Sequence, residues 1–158
     1  MTRAASKLHG ERPMPTYTVS ALNTRLSDLQ KASLAAALTD IHCQVTGAPR
    51  YFVQFVFVDV PANNFFIAGK RLEHDNIFIH GQIRAGRPLS IKHQIIEAIM
   101  AATANIAETD SASIQVYIVD VPADQIAEWG RILPLPGQQE SWDAAIPPEV
   151  RERMNKLL

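Results

Sequence analysis

Val58-Asp59-Val60-Pro61-Ala62 recurs as Val119-Asp120-Val121-Pro122-Ala123, 61 positions later, and this repetition decides the fold. Each copy closes a run rich in β-branched and aromatic residues, Tyr51 to Val60 in the first half and Ser113 to Val121 in the second. Ahead of each run lies a segment with apolar residues at helical spacing, and ahead of that another strand. The spacing predicts a strand over 16–22 and a helix over 28–43, then a strand over 77–83 and a helix over 90–107. An internal repeat outranks local propensity, because both copies must fold alike. The unit is β-α-β, and the chain holds two.

The first helix carries its own start signal. Ser27 followed three residues later by Gln30 is a capping-box pattern, each side chain serving a backbone amide of the other. Leu34, Leu38, Ile41 and Val45 then form one stripe, and Ile95, Ile99, Ala102 and Ile106 form its counterpart after Pro88. Crossovers between parallel strands are right-handed. Two units therefore give an α/β (α+β) fold: a four-stranded, mainly parallel sheet with both helices on one face. Segment 61–75 is expected to add a turn or short hairpin. Residues 134–147 read as irregular, and 148–157 as a short helix with Val150, Met154 and Leu157 on one side. The expected division is an extension over 1–14, a domain over 15–143 and a helical tail over 144–158.

The second sheet face has nothing in this chain to cover it. Tyr51 to Val58 is apolar on both sides of the strand, the signature of a strand buried on both faces. Self-association is the simplest cover. A net charge of −1 offers no basic surface to nucleic acid, and no apolar run reaches a membrane-spanning length. The single cysteine, Cys43, excludes an intrachain disulfide and fits a reducing, cytoplasmic setting.

Several residues can carry chemistry. Arg84 and Arg87, beside a helix start, form an anion site suited to a small carboxylate, unless both are solvated loop residues. His42, at the edge of the first helix's stripe, reads on pattern alone as a half-buried histidine with a hydrogen-bond partner. Adjacent helical residues point about 100° apart, so His42 and Cys43 make no catalytic pair. Tyr117 reads as a core or interface tyrosine. Glu128, beside Trp129, is either a surface acid or, in a closed pocket, a general base. His74, His80 and His93 show no metal-ligand spacing, so no metal is expected.

Pro15 opens the first strand directly behind Met14. Residues 1–13 carry Arg3, Lys7 and Arg12 against Glu11, without the apolar core of a secretory signal. If translation starts at Met14 and that methionine is removed, Pro15 becomes a secondary amine able to move protons. Inside a chain its nitrogen is an amide and can do none of this.

Together the fused repeats, the proline opening the first strand and these residues resemble the tautomerase superfamily, and within it the cis-3-chloroacrylic acid dehalogenase-like proteins. The likeness runs from Pro15 to Asp143. It is densest at Thr39-Asp40-Ile41-His42, Ile77 to Gly81, Arg84 to Arg87, and Val116-Tyr117 through Glu128-Trp129-Gly130 to Gly137. The resemblance implies a trimer whose catalytic residues are Pro15, Tyr117 and Glu128, with His42, Arg84 and Arg87 holding the substrate carboxylate. It implies cofactor-free hydration of a 3-haloacrylate to malonate semialdehyde. The loop Thr46 to Arg50 departs from the family's pattern, with Ala48 where relatives carry a hydroxyl. Two other functions fit the same residues: keto–enol tautomerisation of a phenylpyruvate-like compound, and non-catalytic binding with Pro15 blocked by the extension.

Overall fold

The structure is a computed structural model that describes residues 15–158; the extension expected over 1–14 lies outside the described residues. In chain order the elements are β1 (Thr16–Leu22), α1 (Asp28–Thr46), β2 (Gln54–Val60), β3 (Phe66–Ile67), β4 (Lys70–Arg71), β5 (Ile77–Arg84), α2 (Leu89–Ala107), β6 (Ile114–Val121), β7 (Ala127–Glu128), β8 (Arg131–Ile132), α3 (Gln139–Ala144) and α4 (Pro148–Asn155). The main sheet has the order β2-β1-β5-β6. β1 runs parallel to β2 and β5 parallel to β6, while the two pairs meet antiparallel along β1 and β5. The sheet is thus two β-α-β units back to back, as the repeat requires.

The capping box at Ser27 and Gln30 forms with both reciprocal hydrogen bonds, and Gly47 ends α1 in the left-handed conformation. α1 and α2 start 61 residues apart, and the β-rich runs end 61 apart. The inner strands are 62 apart, since Thr16 pairs with Gln54 whereas Phe78 pairs with Gln115. The loop between β1 and α1 is longer by one residue and absorbs the difference.

The repeat also runs further than its motif suggested. β3-β4 and β7-β8 are matching two-residue hairpins, and both turns hold positive φ at consecutive residues: Ala68 53° and Gly69 75°, Trp129 53° and Gly130 78°. That is the backbone of a tight hairpin turn whose twist suits its strands. The sequence reading allowed for the first hairpin but not the second. Strands of two residues carry no alternation to read, and a tryptophan at positive φ is an uncommon turn residue.

Tyr17, Val19, Ala21, Ile77 and Ile79 face the helices and meet Leu34, Leu38, Ile95 and Ile99 in the main core. A β-carbon built on Gly81 would lie 2.6 Å from the Tyr17 ring and 2.8 Å from Ile118. The ring cannot retreat. It is fully buried, stacked on Phe55 with centroids 5.2 Å apart, and hydrogen-bonded through its hydroxyl to His42. Gly81→Ala is therefore expected to lose about 1–3 kcal/mol, the usual penalty for overpacking a core. A urea midpoint equal to that of the parent chain would contradict this seating of Tyr17.

A second core gathers Phe52, Ala123, Leu133, Trp142, Ile146 and Met154, with Val150 and Trp129 packed against it. It holds the end of the chain on the domain. Trp142 Nε1 donates to the Ile132 carbonyl at 2.8 Å, so α3 is tied to the β7-β8 hairpin. The sequence reading left this helix out, because its six residues are too few to show a period. Residues 50–52 form a single helical turn rather than the start of β2, which lets Phe52 enter this second core. Leu157 lies past the end of α4 and is exposed.

The face of the sheet away from the helices is open. Val56, Val58, Tyr117 and Val119 are each more than two-fifths exposed there. β2 is therefore buried on one face only within this chain, and its apolar outer residues remain uncovered.

Candidate functional site

Five of the six residues picked out by sequence gather at one end of the sheet. Pro15 precedes Thr16, which pairs with Gln82, so it stands beside the Ile83–Arg84 end of β5. Its carbonyl accepts from the Gln54 amide at 3.0 Å. Gln54 in turn lines a cleft of about 590 Å3 together with Glu128, Trp129, Val150 and Arg153. Pro15 and Glu128 thus both adjoin Gln54, one through its amide and the other across the cleft it lines, although 113 positions separate them in sequence.

Glu128 owes its environment to the hairpin. The left-handed pair Trp129-Gly130 turns the chain sharply, and β8 leads directly to Leu133 in the second core. Oε2 of Glu128 is buried and has no hydrogen-bond partner among the described residues. Burial raises its pKa from the ordinary carboxylate value to about 7, with no cation compensating. A carboxyl group in that state suits proton transfer near neutrality.

Arg84 and Arg87 are brought together by the short turn after β5. Arg84 is 2% exposed, and its Nη2 donates to the Pro134 carbonyl in the loop that follows the Glu128 hairpin. Arg87 Nη1 donates to the Arg84 carbonyl at 2.7 Å. They are not the pair of solvated loop arginines that sequence left open. Arg84 is built into the junction between β5 and the second hairpin, and Arg87 is anchored upon it.

His42 is more central than its sequence position suggested. Leu34, Leu38 and His42 are the buried residues of α1, so the histidine occupies the middle of the stripe, with Ile41 and Val45 partly buried beside it. Its Nδ1 lies 2.8 Å from the Tyr17 hydroxyl, and its Nε2 is buried without a partner among the described residues. Burial first, and the nearby Arg87 charge second, lower its pKa to about 3. The ring is neutral throughout the physiological range, so it can only offer or accept a hydrogen bond. Burial likewise pushes the Tyr17 hydroxyl well above the ordinary tyrosine value, with Arg87 opposing. The shared influence of Arg87 places His42, Tyr17 and the arginine loop in one electrostatic neighbourhood.

Tyr117 is the exception. It lies on the open sheet face, 58% exposed, edge-on to Phe78 with ring centroids 5.0 Å apart. The helices cover the opposite face, where Val116 and Ile118 join the main core. A single chain therefore does not carry Tyr117 on the side where His42 is buried.

Tyr17 and Gln54 were not singled out by sequence. Tyr17 had a readable signal, since the alternation of β1 puts it on the helix side, where a buried hydroxyl must find a partner. Gln54 had none, because its contribution is a backbone amide. Among the described residues no three histidine, cysteine, aspartate or glutamate side chains converge to offer metal ligands. No described helix is long and apolar enough to cross a membrane.

Comparison with known proteins agrees with this fold. Residues 14–145 match the family described as putative oxalocrotonate tautomerase enzyme. Among solved structures, N1, a member of the cis-3-chloroacrylic acid dehalogenase family, is 31% identical with a TM-score of 0.81. The match covers 89% of this chain and 99% of that one. Two fused 4-OT proteins, each solved as an asymmetric trimer, are 26% and 27% identical with TM-scores of 0.68 and 0.67. Each match spans 74% of this chain and 94% of the other. No curated protein matches.

Proposed function

The chain belongs to the tautomerase superfamily, with a cis-3-chloroacrylic acid dehalogenase family member among its structural relatives, and we propose that it hydrates a small unsaturated carboxylic acid of the 3-haloacrylate type without a cofactor. The observation that carries this reading is Glu128: a carboxyl group whose buried oxygen has no partner among the described residues, in a cleft lined by Gln54, whose amide donates to the Pro15 carbonyl. Simple tautomerisation needs a proton shuttle and an anion site. A further acid–base group, Glu128, supports the addition of water.

His42, Arg84 and Arg87 hold the substrate carboxylate. Glu128 takes a proton from water, whose oxygen bonds to C3 as the C2–C3 π pair moves toward the carboxylate. Conjugate addition builds negative charge there, so the two guanidinium groups stabilise the transition state more than the ground state. Protonated Pro15, as a free amine, delivers a proton to C2. The halohydrin then loses hydrogen halide and becomes malonate semialdehyde. Tyr117 helps to orient the water, and the open sheet face suggests how it arrives. In a homotrimer packed through these faces, Tyr117 of one copy would enter the site of the next.

This reading has two direct consequences. Light scattering at micromolar concentration should give about three times the 17.5 kDa chain mass, because the uncovered apolar strands β2 and β6 need a partner. A stable monomer would leave Tyr117 without a route to the site. The pH profile supplies the second. Glu128 is protonated below about 7 and cannot then act as base, so kcat/KM for hydration should rise through that pH and level off above it. Halide release and semialdehyde formation from cis-3-chloroacrylate, followed across pH, test both the reaction and the base. A rate unchanged between about pH 5 and 8 would remove Glu128 from that role.

Membership of a family described as oxalocrotonate tautomerase favours a second reading, keto–enol tautomerisation of a phenylpyruvate-like substrate. It would use Pro15 as base with the same anion site and would not require Glu128.

A further inference from the structure

We infer that Tyr17 is a positioning residue, whose hydroxyl holds the buried His42 imidazole in the tautomer with its proton on Nε2, making that nitrogen a hydrogen-bond donor to the bound carboxylate. The inference rests on the proposed role of His42 and adds a residue that no sequence motif marked.

Tyr17 and His42 are both fully buried. The only hydrogen-bond partner of the Tyr17 hydroxyl among the described residues is His42 Nδ1, at 2.8 Å. A buried hydroxyl hydrogen must find an acceptor or cost free energy. Its one acceptor here is the Nδ1 lone pair, so Nδ1 carries no proton. The neutral ring then has its hydrogen on Nε2. That N–H is buried and has no partner among the described residues, so it is available to a ligand. In the opposite tautomer Nδ1–H would donate to the tyrosine, leaving the hydroxyl hydrogen without an acceptor. Nε2 would then turn a lone pair toward an anion and repel it.

The geometry is held from both sides. The Tyr17 ring stacks on Phe55 and closes over Gly81, so the hydroxyl is fixed in position by packing. The charged and titratable groups acting on this pair are Arg87, from the turn before α2, and Cys43, from α1. Arg87 disfavours a second positive charge on the ring, which keeps the histidine a neutral donor and leaves attraction of the anion to the arginines.

Tyr17→Phe tests the inference, because it removes one oxygen and retains the stacking ring. Nitrogen-detected NMR on the full chain should show His42 in a single Nε2–H tautomer. In Tyr17→Phe the same signals should shift toward the Nδ1–H form or a mixture. The dissociation constant for 3-chloropropionate, a saturated carboxylate that cannot be hydrated, should rise about tenfold, the loss of one hydrogen bond to a charged group. In a His42→Ala background, Tyr17→Phe should add less than about twofold, because a positioning residue has nothing left to position. An unchanged tautomer in Tyr17→Phe, or a full tenfold loss on top of His42→Ala, overturns the inference. If His42→Ala itself leaves 3-chloropropionate binding intact, the proposed carboxylate site is what fails, while the NMR result still reads the tautomer.

Discussion

A chain freed of everything before Pro15 is expected to outperform the intact 158-residue chain by about 10²–10⁴-fold, the range that a positioned general acid or base contributes. The reason is covalent. With Met14 attached, the Pro15 nitrogen is an amide that neither holds nor releases a proton near neutrality. With Met14 removed it is a secondary amine. Pro15 is buried at the head of β1, and its carbonyl is held by the Gln54 amide beside the Glu128 cleft, so an amine there would already be in place. The measurement compares a chain starting at Met14, with its new terminus verified by mass, against a verified uncleaved full chain. Equal rates would end the proline mechanism for hydration and tautomerisation alike, and would favour the non-catalytic binding reading.

Glu128→Gln is expected to reduce hydration of 3-haloacrylates by about 10²–10⁴-fold, the contribution of a general base. The amide keeps the shape of the side chain but cannot accept the water's proton. Tautomerisation of phenylpyruvate enol should fall less than about threefold, since it draws only on Pro15 and the anion site. Arg87→Ala should impair both reactions by about 10²–10³-fold, the usual loss on removing one preorganised donor. Arg84 is better tested as lysine. Its side chain is buried against the Pro134 carbonyl, and truncation would open a cavity as well as remove a charge. Both reactions, measured on all three variants with Pro15 exposed, separate the two readings. Wild-type hydration by Glu128→Gln would transfer the assignment to tautomerase.

The recurrence of Val-Asp-Val-Pro-Ala, the capping box at Ser27 and the apolar stripes of the helices determined the two β-α-β units, the four-stranded sheet and the side on which its helices lie. These features are local or periodic, and the chain writes them into neighbouring residues. The closeness of Arg84 and Arg87 was legible too, across a short turn between a strand and a helix.

Tertiary structure alone decided the rest. The second hairpin, only two residues to a strand, has no period to read, yet it buries the carboxyl of Glu128. His42 read as an edge residue because Ile41 and Val45 completed a plausible stripe. Packing against β1 instead turned the histidine inward to the Tyr17 hydroxyl. Sequence left open a solvated Arg84 because its partner, the Pro134 carbonyl, is a backbone group 50 residues away. Strand parity already set the Tyr117 ring opposite to Val116 and Ile118, and only the assembled sheet showed that its face is left open. Each of these outcomes depends on which distant backbone or side chain stands opposite. That is set by the closure of β1 against β5 and by the return of the C-terminal segment over the second core, contacts between residues far apart in sequence that no local pattern encodes.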